Sequence, residues 1–185
     1  SLLKQTRDQA VAFQNPFTGE TETFIGTVTV AVDAHGFTTS LAKAANQYGM
    51  ISGISKIVQT HTLTANRGKD GSGSDADGTV TYDYTAAIPA DLNGDGVVDD
   101  TELASLLPGV HPASRRRYLN GLRLYATLLQ SASGTTRTTG HDAFNFNTFN
   151  TDTVDTYAVI LGQARVGESK SWTVTEGIDG SRSVT

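Results

Sequence analysis

One twelve-residue stretch, residues 91–102, restricts the fold and chemistry of this chain more than any other part of the sequence. It reads Asp-Leu-Asn-Gly-Asp-Gly-Val-Val-Asp-Asp-Thr-Glu, with oxygen-bearing side chains at alternate positions. Calcium is a hard cation that takes oxygen ligands in a tolerant geometry, so a loop that binds it must turn carboxylate, amide and carbonyl oxygens inward at such a spacing. The stretch therefore predicts a Ca²⁺ site.

Six residues of this stretch are the predicted calcium ligands. Positions one, three and five supply side-chain oxygens, position seven a backbone carbonyl, position nine a direct or water-mediated contact, and position twelve a bidentate carboxylate. In that order the ligands are Asp91, Asn93, Asp95, Val97, Asp99 and Glu102. Gly96 occupies position six, where the chain turns sharply and a side chain would obstruct it. The alternative is an acidic surface turn that binds no ion.

The stretch resembles the EF-hand calcium loop, and its flanks define the kind of loop. Residues 79–90 alternate like a strand and contain Pro89, so no ordinary entering helix precedes the loop, whereas residues 101–107 favour a short exiting helix. With an exiting helix only, residues 91–107 are similar to the dockerin-type loop of secreted bacterial and archaeal proteins. No second copy follows, so cohesin binding is not implied, and we interpret the loop as a structural clamp rather than a switch.

Composition favours a β-rich extracellular protein. Of the 185 residues, 37% are hydrophobic and only 18% charged, with no cysteine, so disulfides and thiol catalysis are excluded. The net charge is −5, and the predicted loop alone holds five carboxylates, which argues against a nucleic-acid partner. No apolar run approaches the roughly 20 residues of a membrane span. Calcium is abundant outside cells, so we expect an extracellular or cell-surface location.

The hydrophobic pattern predicts a mainly β fold. We predict one domain over residues 1–185, an antiparallel, jelly-roll-like β-sandwich of about seven to nine strands. The calcium loop and a helical insertion occupy residues 91–134. The predicted elements are a hairpin at 8–20, a strand at 21–34, a helix at 40–49, a strand at 54–65, a loop at 66–78, a strand at 79–90, helices at 101–107 and 114–131, a linker at 133–139, strands at 141–150, 155–164 and 170–176, and a turn at 178–180.

Three local patterns allow a functional and a plain structural interpretation. The 66–78 segment contains Asp75 and Asp77 and offers a weaker second calcium loop or a mobile hairpin tip. The run 115–117 is three arginines at a helix start, either a patch for an acidic surface or solvated charges. Residues 141–150 form either a strand whose three phenylalanines face the protein core or an aromatic ladder that stacks sugars or bases.

No linear catalytic motif occurs, so we do not expect an enzyme. We expect a secreted calcium-binding subunit that self-assembles into an extracellular filament, tube or surface coat, as a homopolymer and with strand addition as a possible contact. In composition and pattern the chain resembles the TasA/camelysin fibre subunits and the archaeal cannulae. Two alternatives stay open: a calcium-stabilised adhesin or carbohydrate-binding module, and a small secreted hydrolase, with Asp152 and Asp155 as an example of a carboxylate pair assembled by folding.

Overall fold

The computed structural model describes residues 9–35, 37–51, 54–84, 99–126, 128–160 and 163–185, with the backbone alone for 121–126. This part of the chain contains ten strands and two helices. They are β1 Ala10–Gln14, β2 Thr21–Ile25, β3 Thr27–Val32, β4 Thr38–Ile51, β5 Ile54–Arg67, β6 Gly73–Tyr84, α1 Asp100–Leu106, α2 Pro112–Ala126, β7 Leu129–His141, β8 Asn147–Ile160, β9 Gln163–Gly177 and β10 Arg182–Val184.

The strands form two antiparallel sheets of very different size. Strands β3 to β10 make one eight-stranded sheet in sequential order, and β1 pairs only with β2. The prediction of a mainly β, antiparallel fold is confirmed. A sandwich or jelly roll is not confirmed, because the larger sheet is a simple meander and the smaller one is a single hairpin.

The large sheet has two chemically different faces, because directly paired residues place their side chains on the same side. One face, here the small-residue face, carries mostly Ala, Gly, Ser and Thr. A representative row across it is Ala44, Thr62, Gly78, Thr136, Thr153 and Ser171. The opposite face, here the charged face, carries the row Lys43, Leu63, Asp77, Arg137, Asp152 and Trp172.

The β1–β2 hairpin is bound to one end of the charged face. Lys43 of β4 forms an ion pair with Glu22 of β2 and lies 5.1 Å from the centre of the Phe13 ring. The guanidinium of Arg67 lies 5.3 Å from the ring centre of Phe17. Leu41, on the same face of β4, is only 3% exposed. Cations over aromatic rings and a buried leucine thus attach the small sheet to the large one.

The predicted strand at 21–34 is divided at Gly26, which separates the two sheets. Gly26 has φ of +142°, and a Cβ at this position would lie 2.2 Å from the carbonyl oxygen of Ala44. A residue with a side chain would therefore collide with the neighbouring backbone. This turn sends β2 into the hairpin and β3 to the edge of the large sheet.

Three segments that the sequence assigned to other structures are strands. The predicted helix at 40–49 lies in β4, most of the predicted loop at 66–78 lies in β5 and β6, and the predicted linker at 133–139 lies in β7. The helical spacing of apolar residues in 40–49 is overridden because β5 pairs along the whole segment and β3 pairs with its first half. In 133–139 the β-branched threonines favour a strand once β6 and β8 flank it.

Two helices, α1 and α2, follow each other between β6 and β7, which are paired neighbours in the sheet. The exiting helix predicted at 101–107 is confirmed as α1, and the helix predicted at 114–131 is confirmed in part as α2, since β7 already begins at Leu129. We expected the longer helix to lie on the sheet. Its main contact among the described elements is α1, and Leu103 of α1 is fully buried.

Asn15 fixes the turn of the β1–β2 hairpin, and its removal should weaken the attachment of the small sheet. Its Oδ1 accepts hydrogen bonds from the backbone N–H of Phe17 (2.9 Å) and Thr18 (3.4 Å), and its Nδ2 donates to Glu22 Oε1 at 2.5 Å. Asn15 is 8% exposed, so Asn15→Ala should lower the free energy of unfolding by about 1–3 kcal/mol. Urea titration followed by circular dichroism measures this loss.

Gln14→Ala is the matched control, because Gln14 donates one exposed side-chain hydrogen bond to the carbonyl of Gly19. Its cost should stay within about 0.5 kcal/mol. Equal losses for both variants would contradict a structural role for Asn15.

Candidate functional site

The predicted calcium loop lies partly within the described residues. Asp91, Asn93, Asp95 and Val97 fall outside them, while Asp99 and Glu102 are described at the start of α1. In the described ranges, no three His, Asp or Glu side chains are grouped closely enough to hold a metal ion. Four of the six predicted ligands lie outside those ranges, so the calcium site remains a prediction.

Asp99 and Glu102 form a reciprocal capping box at the N-terminus of α1. Asp99 Oδ1 accepts from the backbone N–H of Thr101 and of Glu102, each at 2.8 Å, and Glu102 Oε2 accepts from the backbone N–H of Asp99 at 3.0 Å. These bonds satisfy N–H groups that a helix leaves without intrahelical partners. They hold two of the predicted ligands in a fixed relation to each other.

This arrangement is chemically compatible with metal binding. Each carboxylate offers about four lone-pair positions, so a hydrogen bond to one oxygen does not prevent coordination by the same group. Glu102 is 7% exposed, and its Oε2 accepts a hydrogen bond from the backbone N–H of Asp99. The adjacent Leu103 is fully buried and anchors the helix that carries both groups. The described end of the predicted loop, residues 99–102, is thus held by the capping box and by the buried Leu103 that follows it.

The segment that offered a weaker second calcium loop, residues 66–78, lies mostly in regular strands. The residues from Gly73 to Tyr84 form β6, and only residues 68–72 turn between β5 and β6. Asp75 pairs with Arg67 at 2.9 Å, and Asp77 Oδ1 lies 2.6 Å from His61 Nε2. These carboxylates take part in cross-strand contacts on the charged face, so most of the segment is strand rather than the polar loop that both interpretations assumed.

The arginine run crosses from the first to the second turn of α2, which begins at Pro112. Arg116 and Arg117 are exposed, Arg115 is half-buried, and the first turn holds no acidic residue. Arg115 Nε is buried and has no hydrogen-bond partner among the described residues. Only Arg115 lies in the turn where the helix dipole disfavours cations, because the effect falls off beyond the first turn.

The aromatic segment at 141–150 is a turn followed by the start of β8. Phe144 is 74% exposed and Phe146 is 54% exposed, with their ring centres 5.7 Å apart. The expectation that three phenylalanines face the core was therefore wrong. Phe149 alone lies against the sheet: a Cβ on Gly140 would meet its ring at 2.4 Å, so the ring covers the glycine that pairs with it.

Asp142 organises this turn through hydrogen bonds. Its carboxylate accepts from the backbone N–H of Phe144, Phe146 and Asn147, and from the Asn147 side-chain amide at 2.9 Å. Desolvation acts to raise the pKa of Asp142, but the hydrogen bonds from Asn147 and the backbone outweigh it, so the pKa lies below its ordinary value. The charged form of Asp142 therefore stabilises the folded state.

A polar depression of about 560 Å³ lies beside this turn on the charged face. Its lining includes Asp75, His141, Asn150, Glu176 and Arg182. The two carboxylates belong to β6 and β9, which are three strand spacings apart, or about 14 Å. Acid–base pairs of glycosidases stand about 5–10 Å apart, so this separation does not form such a pair.

The example of Asp152 and Asp155 as a carboxylate pair is contradicted by strand geometry. Asp152 is paired with Trp172 on the charged face, whereas Asp155 is paired with Ser169 on the small-residue face. Their side chains lie on opposite sides of the sheet. They do not share a site.

The large sheet ends in two edges that carry exposed apolar residues. At one edge is β3, with Val30 and Val32 exposed. At the other, β10 pairs only with residues 174–176 of β9, and residues 163–172 have β8 as their one strand neighbour in the described chain. Nine of these ten residues are exposed. Sequence reasoning missed this free edge, for which the alternating charges Glu168 and Lys170 were the available signal.

Comparison of the chain with protein-family models, curated proteins and solved structures finds no match. The similarity to EF-hand and dockerin-type loops therefore rests on residues 91–107 alone. In the described part of the chain, no helix has the length and apolar character needed to cross a membrane.

Glu102→Gln should abolish the thermal stabilisation by calcium while preserving the helix cap. Glutamine accepts the Asp99 N–H as glutamate does, but it loses the charge and the bidentate coordination that a calcium loop needs. Asp100→Asn is the control: Asp100 is exposed in the same helical turn and is not a predicted ligand. Differential scanning fluorimetry with calcium or with chelator should show a calcium-dependent rise in Tm for wild type and Asp100→Asn only. A full rise in Glu102→Gln would reject the ligand assignment.

Asp142→Asn should lower Tm near neutral pH, and the difference from wild type should shrink in acid. Because the folded-state pKa is depressed, this stabilisation is present above the unfolded pKa of about 3.9 and is lost as pH falls through the folded value. Thermal melts from pH 7 to pH 2.5 measure this convergence. A Tm difference that stays constant across the range would show that the charge of Asp142 is not responsible.

Proposed function

We propose that this chain is a secreted, calcium-binding structural subunit that assembles with its own copies into an extracellular filament, tube or surface coat. The observation that supports this best is the open eight-stranded sheet with an exposed strand at each edge of the described structure. Unpaired edge strands present rows of N–H and C=O groups that pair readily with another chain. Strand addition at these edges would extend the sheet from one subunit to the next.

The small interior supports the same proposal. The buried apolar residues of the described chain are Leu41, Leu103, Leu119 and Ala132. A sheet normally stabilises itself by packing one face against another layer, and among the described elements the β1–β2 hairpin covers part of the charged face. Contact with further copies would add buried area to the described sheet. Both the β-sandwich and the EF-hand-like insertion stay predictions within this proposal.

Calcium would act as a structural clamp in this subunit. The predicted loop and its helix come between β6 and β7 in the sequence, and these two strands are neighbours near the middle of the sheet. An ion bound to the native state alone adds to the free energy of folding. It would fix the helices relative to the two strands that enclose them, and through those strands the edges that assemble.

Calcium should promote assembly of the purified protein. Size-exclusion chromatography with light scattering, followed by negative-stain electron microscopy, should show larger particles in millimolar calcium than in chelator. Asp100→Asn should behave like wild type, and Glu102→Gln should behave in calcium as wild type does in chelator. Monodisperse monomers at high concentration in calcium would overturn the assembly proposal and favour a calcium-stabilised binding module, with the polar depression as its first candidate surface.

A further inference from the structure

We propose that Lys43 and Asn15 form an isopeptide bond within one subunit, with Glu22 as the catalytic group that moves the protons. The bond joins the Nζ of Lys43 to the Cγ of Asn15 and releases ammonia. It links the β1–β2 hairpin covalently to β4 of the large sheet, in a chain that has no cysteine for a disulfide. The reaction requires neither calcium nor assembly.

The three side chains meet where the hairpin contacts the charged face. The Nζ of Lys43 donates to Glu22 Oε2, and the Nδ2 of Asn15 donates to Glu22 Oε1 at 2.5 Å. The amine and the amide are therefore held on the two oxygens of one carboxylate. Asn15 and Lys43 also line one cavity of about 210 Å³, together with Leu41 and Leu63. The flexible four-carbon stem of Lys43 lets its Nζ approach the amide within this cavity.

The side-chain amide of Asn15 is oriented for attack at its carbonyl carbon. Its Oδ1 accepts hydrogen bonds from the backbone N–H of Phe17 at 2.9 Å and of Thr18 at 3.4 Å. Two N–H groups directed at this oxygen would stabilise the negative charge that it gains in a tetrahedral intermediate, as an oxyanion hole does. The backbone of Asn15 is fixed as well, because its N–H donates to Glu20 and its carbonyl accepts from Gly19, each at 2.8 Å.

Lys43 is a shielded amine beside a proton acceptor. Its side chain is 18% exposed, its Nζ lies 5.1 Å from the centre of the Phe13 ring, and the buried Leu41 is two residues away on the same face. A lysine amine attacks a carbonyl only in its neutral form, so an adjacent base must take its proton. Hydrogen bonds from Lys43 and Asn15 lower the pKa of Glu22, which is therefore ionised near neutral pH and able to accept this proton.

The reaction balances without an oxidant, a reductant or a second substrate. Glu22 takes one proton from the Lys43 ammonium, and the lone pair of the neutral Nζ forms the bond to the Cγ of Asn15. A second proton passes from Nζ to Nδ2 through Glu22, the Cγ–Nδ2 bond breaks and ammonia leaves. Ammonia then takes the remaining proton as ammonium, and Glu22 returns to a carboxylate. The product is an amide, and the chain becomes about 17 Da lighter.

A second lysine shows which feature distinguishes this site. Lys69 forms an ion pair with Asp33 Oδ2 and lies 5.7 Å from the centre of the Phe37 ring, so it too has a carboxylate and an aromatic neighbour. Asp33 Oδ1 accepts from the backbone N–H of His35 and of Phe37. Backbone groups thus occupy the oxygen that corresponds to the one holding an asparagine amide at Glu22. Lys69 is therefore the matched control for Lys43.

Intact-mass spectrometry of the purified protein tests whether the bond forms. Wild type and Lys69→Arg should each have a mass about 17 Da below that of their sequence. Lys43→Arg should have its full sequence mass, because arginine keeps the positive charge but stays protonated and is no nucleophile. A wild-type protein with its full sequence mass, or a deficit that persists in Lys43→Arg, would overturn the proposal.

Proteolysis locates the bond in the wild-type chain, so the test does not depend on how a variant folds. Cleavage of the denatured protein after Glu20 and Glu22 separates the segment of Asn15 from that of Lys43. The two fragments should stay joined, and tandem mass spectrometry should place the branch at Lys43. A succinimide at Asn93 would lose the same mass but leave the fragments separate. Separate fragments would therefore reject the bond.

Glu22→Gln tests the catalytic role of the carboxylate. Glutamine still hydrogen-bonds to its neighbours but cannot take a proton from Lys43, so bond formation should slow about 100-fold or more. The bonded fraction, measured by mass at purification and over the following days, should be complete in wild type and small in Glu22→Gln. Complete bonding of Glu22→Gln at purification would show that Glu22 is not the catalyst.

The bond should also raise thermal stability, since a cross-link between residues 15 and 43 restricts the unfolded chain. Lys43→Arg should melt about 5–10 °C below wild type, whereas Lys69→Arg should melt close to wild type. Equal melting temperatures for the two variants would contradict a covalent link. Asn15→Ala loses this bond together with its hydrogen bonds, so the effect of the hydrogen bonds alone is measured in the Lys43→Arg background.

Discussion

The backbone hydrogen bonding of long antiparallel strands is the interaction on which the rest of this structure depends. Strands β4 to β9 each have 12 to 15 residues and are paired with neighbours along most of their length. Few apolar side chains are buried, so the ladders rather than a large core define the arrangement of the chain. Each hydrogen bond adds little by itself, but the register they fix decides which side chains meet.

That register produces a sheet with two surfaces of different chemistry. One face carries mostly small residues, and aromatic rings lie against two of its glycines, Tyr157 at Gly134 and Phe149 at Gly140. On the other face, exposed ion pairs such as Arg137 with Asp152 cross between strands. Exposed pairs of this kind contribute little to stability, about 0–1 kcal/mol each. The arrangement of these ion pairs matters more for recognition, because it determines which surfaces stay hydrated and which can contact a copy of the chain.

The helical segment between β6 and β7 carries two of the predicted calcium ligands. Asp99 and Glu102 cap α1 through each other, and both are predicted ligands, so the start of the helix is compatible with the predicted calcium loop. The insertion joins two strands that are themselves direct neighbours. Ordering it by calcium would therefore act on the middle of the sheet, whereas the contacts between subunits that we propose lie at the edges.

The sequence by itself determined the features that depend on local chemistry. It predicted the antiparallel β class, the first hairpin, the exiting helix that is α1 and the turn at 178–180, because threonine and valine alternation, capping residues and glycine act within a few residues. Its calcium ligands remain a prediction, supported by the cap that Asp99 and Glu102 form.

Only the tertiary structure decided the remaining features. The apolar spacing in 40–49 fits a helix, and pairing with β3 and β5 made it a strand. Asp75 and Asp77 became strand residues that contact Arg67 and His61, and Phe144 and Phe146 lie on an exposed turn. Which strand lies at an edge, and which backbone groups it leaves unpaired, depends on the order of strands in the sheet. That order is set by contacts between residues distant in the chain, which no local pattern records.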